Sequence, residues 1–407
     1  MKIDRNLLPS WYVEKKFLPG KYWEKRLRIV SFFLRCFQRM LFFLPVKKNR
    51  VMVYIHERRG FSCNPKYVVR KLKEKYGDKL EIIWVTSYPE TCKELRDMGI
   101  LVVATNSKLH VSLYMRTRVF VTNDSVPTWA VHRPGQIWMN TWHGGMNYKR
   151  IGYEHVEPMS RDGFCLYKWE NRSPDVYLAG SEYFRRDTAR SFSFSEDIFQ
   201  RTGMPRNDLF FEERDDIREK VVRRYDLAAD QRIVLYAPTF RRNMENSTYG
   251  LDFGELIRTL SAGFGGDWLV FFHNHNFVRS GQELPEGVID VSDYDDMQEL
   301  LYVADVLISD YSSCMWDYCL TGRPCFVYAS DVEEYITKDR TLGFPMEQWP
   351  YPIAGSNQDL MQCIRRFDER EYESRVAKHL EDMGSYDRGD ASERAAELIG
   401  SYCIEDM

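Results

Sequence analysis

Beyond residue 50, the hydrophobic positions fall into short buried runs separated by amphipathic stretches. The runs predict strands at 51–56, 81–86, 101–105, 119–123, 136–141, 176–179, 233–237, 268–273, 288–291, 306–309 and 325–328. Helical patterns between them include 66–75, 90–98, 297–303 and 313–320. Alternation of this kind favours right-handed βαβ units and mostly parallel sheets. The chain is therefore predicted to be an α/β protein.

A cluster of turn residues interrupts this alternation at 203–208, where Gly203, Pro205, Asn207 and Asp208 follow one another closely. Gly, Pro and Asn/Asp punctuate secondary structure because each favours a turn. We interpret this point as a domain boundary. The prediction is two doubly wound, Rossmann-like domains, 51–205 and 206–407, that face a central cleft, with the option that the last helix packs back on the first domain.

The N-terminal segment 21–44 has a two-faced helical pattern. One face is mostly basic and consists of Lys21, Glu24, Lys25, Arg28, Arg35 and Arg39. The other is apolar and consists of Trp23, Leu27, Val30, Phe33, Leu34, Phe37, Leu41 and Leu44. The basic residues interrupt the apolar run well short of the roughly 20 residues that a spanning helix needs.

Two interpretations of this helix remain. A basic face opposite an aromatic face is typical of a helix that lies in the plane of a membrane interface. An apolar stripe is equally needed by a helix that packs on its own protein core. The excess of basic residues favours an anionic membrane surface, and segment 1–50 is predicted to be membrane-interfacial.

Composition narrows the class of protein. The 407 residues are 44% hydrophobic and 29% charged, as expected of a soluble globular chain. A formal net charge of −3 provides no global basic field for nucleic acid. The nine cysteines contain no C-x-x-C pair, which disfavours a zinc ribbon or a disulfide framework and fits a reducing compartment. Without a secretory pattern at the N-terminus, the cytoplasm is expected.

Four clusters of polar residues follow predicted strands, and the first contains a histidine. His143 lies in the sequence Asn140-Thr141-Trp142-His143-Gly144-Gly145. Glycine lets a loop backbone approach a ligand closely, and imidazole is suited to taking a proton near neutral pH. A structural turn histidine is the alternative.

The second and third clusters follow the strands at 233–237 and 268–273. Thr239 and Arg241 lie just after the first of these, where a guanidinium can hold two oxygens of one phosphate. An ordinary solvated loop is the alternative. His273 and His275 follow the second strand. A metal site would need a third ligand, and no further His, Cys or carboxylate lies nearby in the sequence. A contact with phosphate is therefore favoured.

The fourth cluster is Asp310-Tyr311-Ser312-Ser313, between the buried run 306–309 and a predicted helix. A helix start presents unpaired N–H groups and attracts phosphate. Asp317 lies one turn further along, on the same face as Ser313. The alternative is an ordinary N-cap. If the strands are parallel, all four clusters lie at carboxyl ends of strands, where open α/β sheets bind ligands.

These motifs together resemble one protein family. The segment 288–335, with T-W-H-G-G, Y-A-P-T-F-R, G-M-P-R-N-D and the 57–67 run E-R-R-G-F-S-C-N-P-K-Y, is similar to the CDP-glycerol glycerophosphotransferase family. Its members build teichoic acids and related capsular polymers. The resemblance covers residues 50–385 approximately. It implies a glycosyltransferase-B-like pair of Rossmann-type domains.

The resemblance also implies roles for the motif residues. His143 would be the general base on the acceptor hydroxyl, His275 would stabilise the pyrophosphate, and Arg241 would hold a phosphate. Asp317 would hold polyol hydroxyls of the donor. The remaining substrate-binding candidates lie in the same motifs and are Ser312, Ser313, Thr239, Asp310, Gly144 and His273. His273 stands where the family often has Arg, and Asn276 where it often has Pro.

The expected reaction is transfer of a polyol phosphate, with glycerol phosphate preferred over ribitol phosphate, from a CDP-activated donor to an acceptor hydroxyl. CMP would leave, without a cofactor or a divalent ion. The expected acceptor is a polyprenyl-linked glycan or polymer at the cytoplasmic face of the membrane, where the protein would be peripheral. A nucleotide-sugar glycosyltransferase and a non-catalytic assembly factor are the rival classes. Oligomerisation and processivity are left open.

Overall fold

The computed structural model describes residues 21–55, 60–155, 159–239, 250–273 and 284–404. The chain forms two compact units. Unit 1 contains the described parts of Met1–His143, Ile151–Arg206 and Asp390–Met407. Unit 2 contains those of Gly144–Arg150 and Asn207–Gly389.

Unit 1 is built on a parallel sheet of seven described strands in the order β3-β2-β1-β4-β5-β6-β7. The strands are β1 (Lys47–Tyr54), β2 (Glu81–Thr86), β3 (Leu101–Ala104), β4 (Thr117–Thr122), β5 (Ile137–Asn140), β6 (Val176–Leu178) and β7 (Phe199–Gln200). Its helices to this point in the chain are α1 (Tyr22–Met40), α2 (Cys63–Tyr76), α3 (Lys93–Asp97), α4 (Lys108–Tyr114), α5 (Arg161–Glu170) and α6 (Glu182–Phe192).

Both faces of the unit 1 sheet are covered, which explains its uninterrupted apolar runs. Val51 and Val53 belong to one core cluster, whereas Met52 and Tyr54 belong to a second cluster. Successive side chains of a strand point to opposite faces, so a strand buried on both sides is apolar at every position.

Unit 2 is built on a second parallel sheet, with the described order β10-β9-β8-β11-β12-β13. Its strands are β8 (Arg232–Ala237), β9 (Trp268–Phe272), β10 (Val288–Asp290), β11 (Val306–Ser309), β12 (Cys325–Tyr328) and β13 (Ile353–Ala354). Its helices are α7 (Asp215–Tyr225), α8 (Phe253–Phe264), α9 (Met297–Val303), α10 (Cys314–Cys319), α11 (Val332–Lys338), α12 (Asn357–Arg365) and α13 (Glu369–Asp382). The prediction of two parallel α/β domains is confirmed.

Two segments belong to a different unit from the domain that the sequence assigns to them. Residues 144–150 lie in unit 2, where Arg150 N–H donates to the carbonyl of Thr341. Residues 390–404 belong to unit 1, in line with the option that the last helix packs back on the first domain, and their helix α14 (Ala391–Cys403) buries Ile399 in the core cluster of Val51. The two-residue strands β7 and β13 are absent from the sequence prediction.

Helix α1 packs on unit 1 through its polar side. Glu24, Ser31, Arg35 and Gln38 are buried. The apolar side is exposed, to 65% at Phe33 and 55% at Phe37, with further exposed side chains at Tyr22, Trp23, Leu27, Ile29, Val30, Phe32 and Met40. Glu24 and Arg35, from the predicted basic face, contact the protein, whereas Lys21, Lys25 and Arg39 of the same face are exposed. Leu34 and Leu41, from the predicted apolar face, are partly buried against the core cluster of Met52 and Tyr54.

Hydrogen bonds hold α1 in this orientation. Arg35 Nη1 donates to the Thr128 carbonyl at 2.6 Å, and Gln38 Nε2 donates to the Trp129 carbonyl at 2.7 Å. The Ser160 hydroxyl donates to Glu24 at 2.6 Å and lowers the pKa of that carboxyl. The Arg35 guanidinium also lies 4.1 Å from the centre of the Trp169 ring.

Across the described ranges, no helix has the length and apolarity needed to cross a bilayer.

The buried histidines predict a dependence of stability on pH. Burial lowers the pKa of His110 in unit 1 and of His379 in unit 2 to about 4. The Nε2 of His379 lies 3.3 Å from the Tyr148 hydroxyl. Between about pH 6.5 and 4 the unfolded chain binds protons at these imidazoles and the folded chain does not, so the free energy of unfolding falls as the pH falls.

The test compares wild type with His379→Gln by urea denaturation at pH 7 and pH 5. The neutral amide cannot take a proton, so the variant should lose less stability over this interval, by roughly 1.4 kcal/mol for each pH unit within the window. An equal loss in both proteins would contradict the assignment.

Candidate active site

The first candidate residue, His143, lies in unit 1 on the loop that follows β5. Its Nδ1 is 2.9 Å from the carbonyl oxygen of Asn123, which follows the neighbouring strand β4. A carbonyl oxygen can only accept, so this contact assigns the ring proton to Nδ1 and the proton-accepting lone pair to Nε2. The ring also stacks on Trp142, with centroids 4.3 Å apart. The orientation of the imidazole is therefore set by groups of the same unit.

The backbone before His143 is strained. Trp142 has a φ of +51°, a left-handed conformation that is uncommon for a bulky residue. The Asn140 side chain accepts the Trp142 N–H at 2.8 Å. The Asn64 amide donates to the carbonyls of Thr141 and Trp142 at 2.9 and 2.8 Å. These bonds hold the loop in a conformation that its own preferences disfavour.

Asn64 is a residue that the sequence reasoning missed as part of this site. It is fully buried in the first turn of α2, and its Oδ1 accepts the N–H of Arg206 at 3.1 Å. One side chain thus joins three of the motifs that carry the family resemblance: C-N-P-K, T-W-H-G-G and G-M-P-R-N-D. The available signals were its place in the 57–67 run of the family resemblance and an Asn-Pro pair at a helix start, and neither indicates a contact with the His143 loop.

In unit 2, Asp310 ties together the ends of β8 and β11. Its carboxylate accepts the Thr239 N–H, with distances of 2.9 and 3.0 Å to the two oxygens, and also the Tyr311 N–H. The side chain is buried. These contacts position the loop of Thr239, and direct substrate binding by Asp310 stays a prediction.

Ser312 and Ser313 are partly exposed before α10, and Thr239 and His273 are partly exposed after β8 and β9. The helix α10 has only six residues, so it presents a weaker dipole than a long helix would. The two serine hydroxyls are therefore the stronger candidates for contact with an anion at this turn.

Gly144 lies against this same turn, within unit 2. A Cβ at position 144 would be 2.8 Å from Ser313 Oγ and 3.1 Å from Ser313 Cβ. Real Cβ atoms essentially never come within 3.0 Å of another heavy atom, so a side chain at position 144 would force Ser313 to shift. The structure thus brings Gly144, Ser312 and Ser313 together.

Asp317 is fully buried in unit 2. Its charge is one of the causes, after burial, that raise the pKa of the Tyr148 hydroxyl. Contact of this carboxylate with polyol hydroxyls of a donor stays a prediction.

His275 and Arg241 lie outside the described residues, as do residues 57–59 of the first loop. Within the described ranges, no group of three or more His, Cys, Asp or Glu side chains is arranged to hold a metal ion.

The family model for CDP-glycerol:poly(glycerophosphate) glycerophosphotransferases matches residues 36–401. The chain belongs to this family. The resemblance inferred from the motifs is confirmed, and the protein is an enzyme, a transferase of the teichoic acid biosynthesis class.

Curated relatives include both glycerol-phosphate and ribitol-phosphate enzymes. A teichoic acid glycerol-phosphate transferase of Staphylococcus aureus is 27% identical over 86% of this chain and 93% of its own length. A teichoic acid poly(glycerol phosphate) polymerase of Staphylococcus epidermidis is 26% identical over 98% of this chain, which spans only 58% of that polymerase. A teichoic acid poly(ribitol-phosphate) polymerase of Bacillus spizizenii is 26% identical over 88% of this chain and 57% of its own length.

Solved structures show the same fold. The wall teichoic acid polymerase TagF aligns with a TM-score of 0.78 at 23% identity, over 96% of this chain and 100% of that one. A UDP-GlcNAc 2-epimerase of Neisseria meningitidis aligns with a TM-score of 0.52 at 11% identity, over 86% of this chain and 99% of that one. At these identities the likeness concerns the fold alone.

The contact of Gly144 with Ser313 predicts that this family member does not tolerate a side chain at position 144. Gly144→Ala should lower the free energy of unfolding by about 1–3 kcal/mol, the usual effect of overpacking. Thermal denaturation measures the change. Gly254→Ala is the matched control, because a Cβ there meets no atom closer than the end of the Arg258 side chain at 3.4 Å.

Replacing Ser313 by Gly in the Gly144→Ala protein removes both clashing atoms, so the double variant should regain part of the lost stability. If Gly144→Ala were as stable as Gly254→Ala, the close approach would be contradicted.

Proposed function

We propose that this enzyme transfers glycerol phosphate from CDP-glycerol to a hydroxyl of a membrane-linked acceptor and releases CMP. The proposal depends on one contact of His143 in the T-W-H-G-G motif, between its Nδ1 and the Asn123 carbonyl. This contact makes Nε2 the nitrogen that can accept a proton. The donor is supported by the name of the family and by a solved structure of a TagF variant with CDPG.

In the proposed step, Nε2 of His143 takes the proton of the acceptor hydroxyl. The acceptor oxygen then forms a bond to the β-phosphorus of the donor. The bond from this phosphorus to the oxygen that bridges to the α-phosphorus breaks, and CMP departs with the bonding electrons. Proton transfer to a positioned base contributes typically about 10²–10⁴-fold to a rate.

Phosphate-binding groups stabilise the charge in this proposal. Ser312 and Ser313 contribute hydroxyls from their partly exposed turn in unit 2, and Thr239 is a further candidate from the loop after β8. Arg241 and His275 are assigned to the phosphates through the family motifs, and His273 is a further substrate-binding candidate. Preorganised donors of this kind are worth about 10²–10³-fold each in rate.

His143→Gln should lower CMP release by about 10²–10⁴-fold, because the amide cannot take the proton. The assay supplies CDP-glycerol with a membrane-lipid acceptor extract and measures CMP. His132→Gln is the control, since His132 contacts Asp175 and the Gln136 carbonyl in unit 1 and has no role in the proposed step. Full activity in His143→Gln would refute the base assignment.

CDP-ribitol is the second candidate donor, because ribitol-phosphate polymerases match this chain at 26–27% identity, as the glycerol-phosphate enzymes do at 24–27%. The same assay with CDP-ribitol distinguishes the two, since release of CMP from only one donor names the polyol. If CMP were released from neither donor, a nucleotide-sugar glycosyltransferase or a non-catalytic assembly factor would be favoured instead.

We further propose that the enzyme is peripheral to the cytoplasmic face of the membrane and that α1 provides the contact. The support is the orientation of this helix, which buries four polar residues on unit 1 and exposes its aromatic side chains together with Lys25, Arg26 and Arg39. Aromatic and basic residues on one interfacial helix suit an anionic lipid surface. A lipid-linked acceptor would then meet the enzyme at that surface.

The variant Phe33→Gln/Phe37→Gln should lose sedimentation with phosphatidylglycerol vesicles and keep its melting temperature, because both rings are exposed. The control Leu101→Gln/Leu109→Gln changes two exposed leucines of the same unit and should sediment as wild type does. Equal sedimentation of the two variants would contradict the assignment. Point variants are preferable to deletion of 1–45, which would also remove the contacts of Arg35 and Gln38 with unit 1.

A further inference from the structure

We propose that Asn64 is a positioning residue for His143, and that it acts through the backbone of Thr141 and Trp142. The inference rests on the proposed function where it concerns turnover, because the effect on the rate passes through His143. The geometry on which it stands lies wholly within unit 1.

The hydrogen bonds of the Asn64 amide use both its nitrogen and its oxygen. Nδ2 donates to the carbonyls of Thr141 and Trp142, and Oδ1 accepts the N–H of Arg206. A carboxamide carries two donors and an acceptor at one end, whereas a carboxylate has no donor and a hydroxyl has one. Gln would carry the same groups one methylene further from the backbone, in a site with no exposed surface.

The strained backbone shows that these bonds hold a conformation which the chain does not favour. Trp142, immediately before His143, has a φ of +51°, and Cys63, immediately before Asn64, has a φ of +61°. Non-glycine residues persist in the left-handed region where the surrounding structure over-determines them, and such residues cluster at active sites. Here one strained residue, Trp142, lies in the loop that Asn64 holds, and the other, Cys63, directly precedes Asn64 itself.

The consequence for His143 follows from the chain itself. The Trp142 carbonyl held by Asn64 belongs to the peptide group that leads into His143. Fixing this peptide group fixes the backbone from which the imidazole extends toward the Asn123 carbonyl. If Asn64 could no longer donate, the peptide group could rotate, and the imidazole would lose its set direction. A misplacement of about 1 Å at a reacting group can cost on the order of 10²-fold in rate.

The test uses Asn64→Asp in the full chain. The carboxylate keeps the size of the amide and can still accept from Arg206, but it cannot donate to the two carbonyls. Asn64→Leu, which is neutral, similar in size and has no donor, serves if the buried charge prevents folding. Asn49→Asp is the matched control, because Asn49 also donates its amide to a backbone carbonyl, that of Lys79, at the start of β1.

Two measurements are made on each protein. The first is the nitrogen-15 NMR spectrum of labelled histidine, with the His143 signals assigned by their loss in His143→Gln. Wild type and Asn49→Asp should show the His143 proton on Nδ1, and the Asn64 variants should show a mixture with the Nε2–H form. The second is CMP release, for which kcat should fall by about 10²-fold in Asn64→Asp while the affinity for CDP-glycerol, measured by calorimetry, stays within about threefold of wild type.

An unchanged His143 tautomer in folded Asn64 variants would overturn the inference, as would a kcat within about threefold of wild type. A loss of donor affinity that accounts for the fall in rate would overturn it as well. A failure of the proposed function has a different signature. In that case wild type releases no CMP, or His143→Gln remains active, while the dependence of the tautomer on Asn64 is still measured by NMR.

Discussion

The structure depends on how the backbone polar groups beyond the carboxyl ends of buried parallel strands find hydrogen-bond partners. Such groups cannot remain unpaired without a large cost. In each unit, one buried polar side chain meets part of this demand for two segments at once. Asn64 serves the loop after β5 and the segment at Arg206, and Asp310 serves the loop after β8 and the turn after β11. The loops that carry His143, Thr239, Ser312 and Ser313 are consequently held by side chains that are themselves buried.

The sequence predicts most of the strands and misses the two shortest. The bounds of β2, β11 and α9 agree with the predicted 81–86, 306–309 and 297–303. For the two strands the reason is burial on both faces of the sheet, which leaves an apolar run with few polar positions. The strands β7 and β13 have two residues each and carry too little pattern to be recognised. Asn64 could not be found from spacing, since its partners are 77, 78 and 142 residues away along the chain.

Periodicity identifies an apolar and a basic side of α1 but not which residues of each contact the protein. The general expectation is that a helix packs through its apolar stripe. In this chain the polar face finds fixed partners, among them the carbonyls of Thr128 and Trp129 and the hydroxyl of Ser160. These partners belong to loops and a helix start far along the chain, so the local sequence pattern of α1 cannot predict the contacts.

In most amphipathic helices the apolar stripe itself attaches the helix to the protein. In α1 the attachment depends on buried residues such as Arg35 and Gln38, and Phe33 and Phe37 make no contribution to it. Substitutions on the aromatic side can therefore accumulate without a loss of stability. In water alone, an apolar face of this size also favours self-association, so we expect the purified enzyme to stay monodisperse only when a surfactant or lipid covers it.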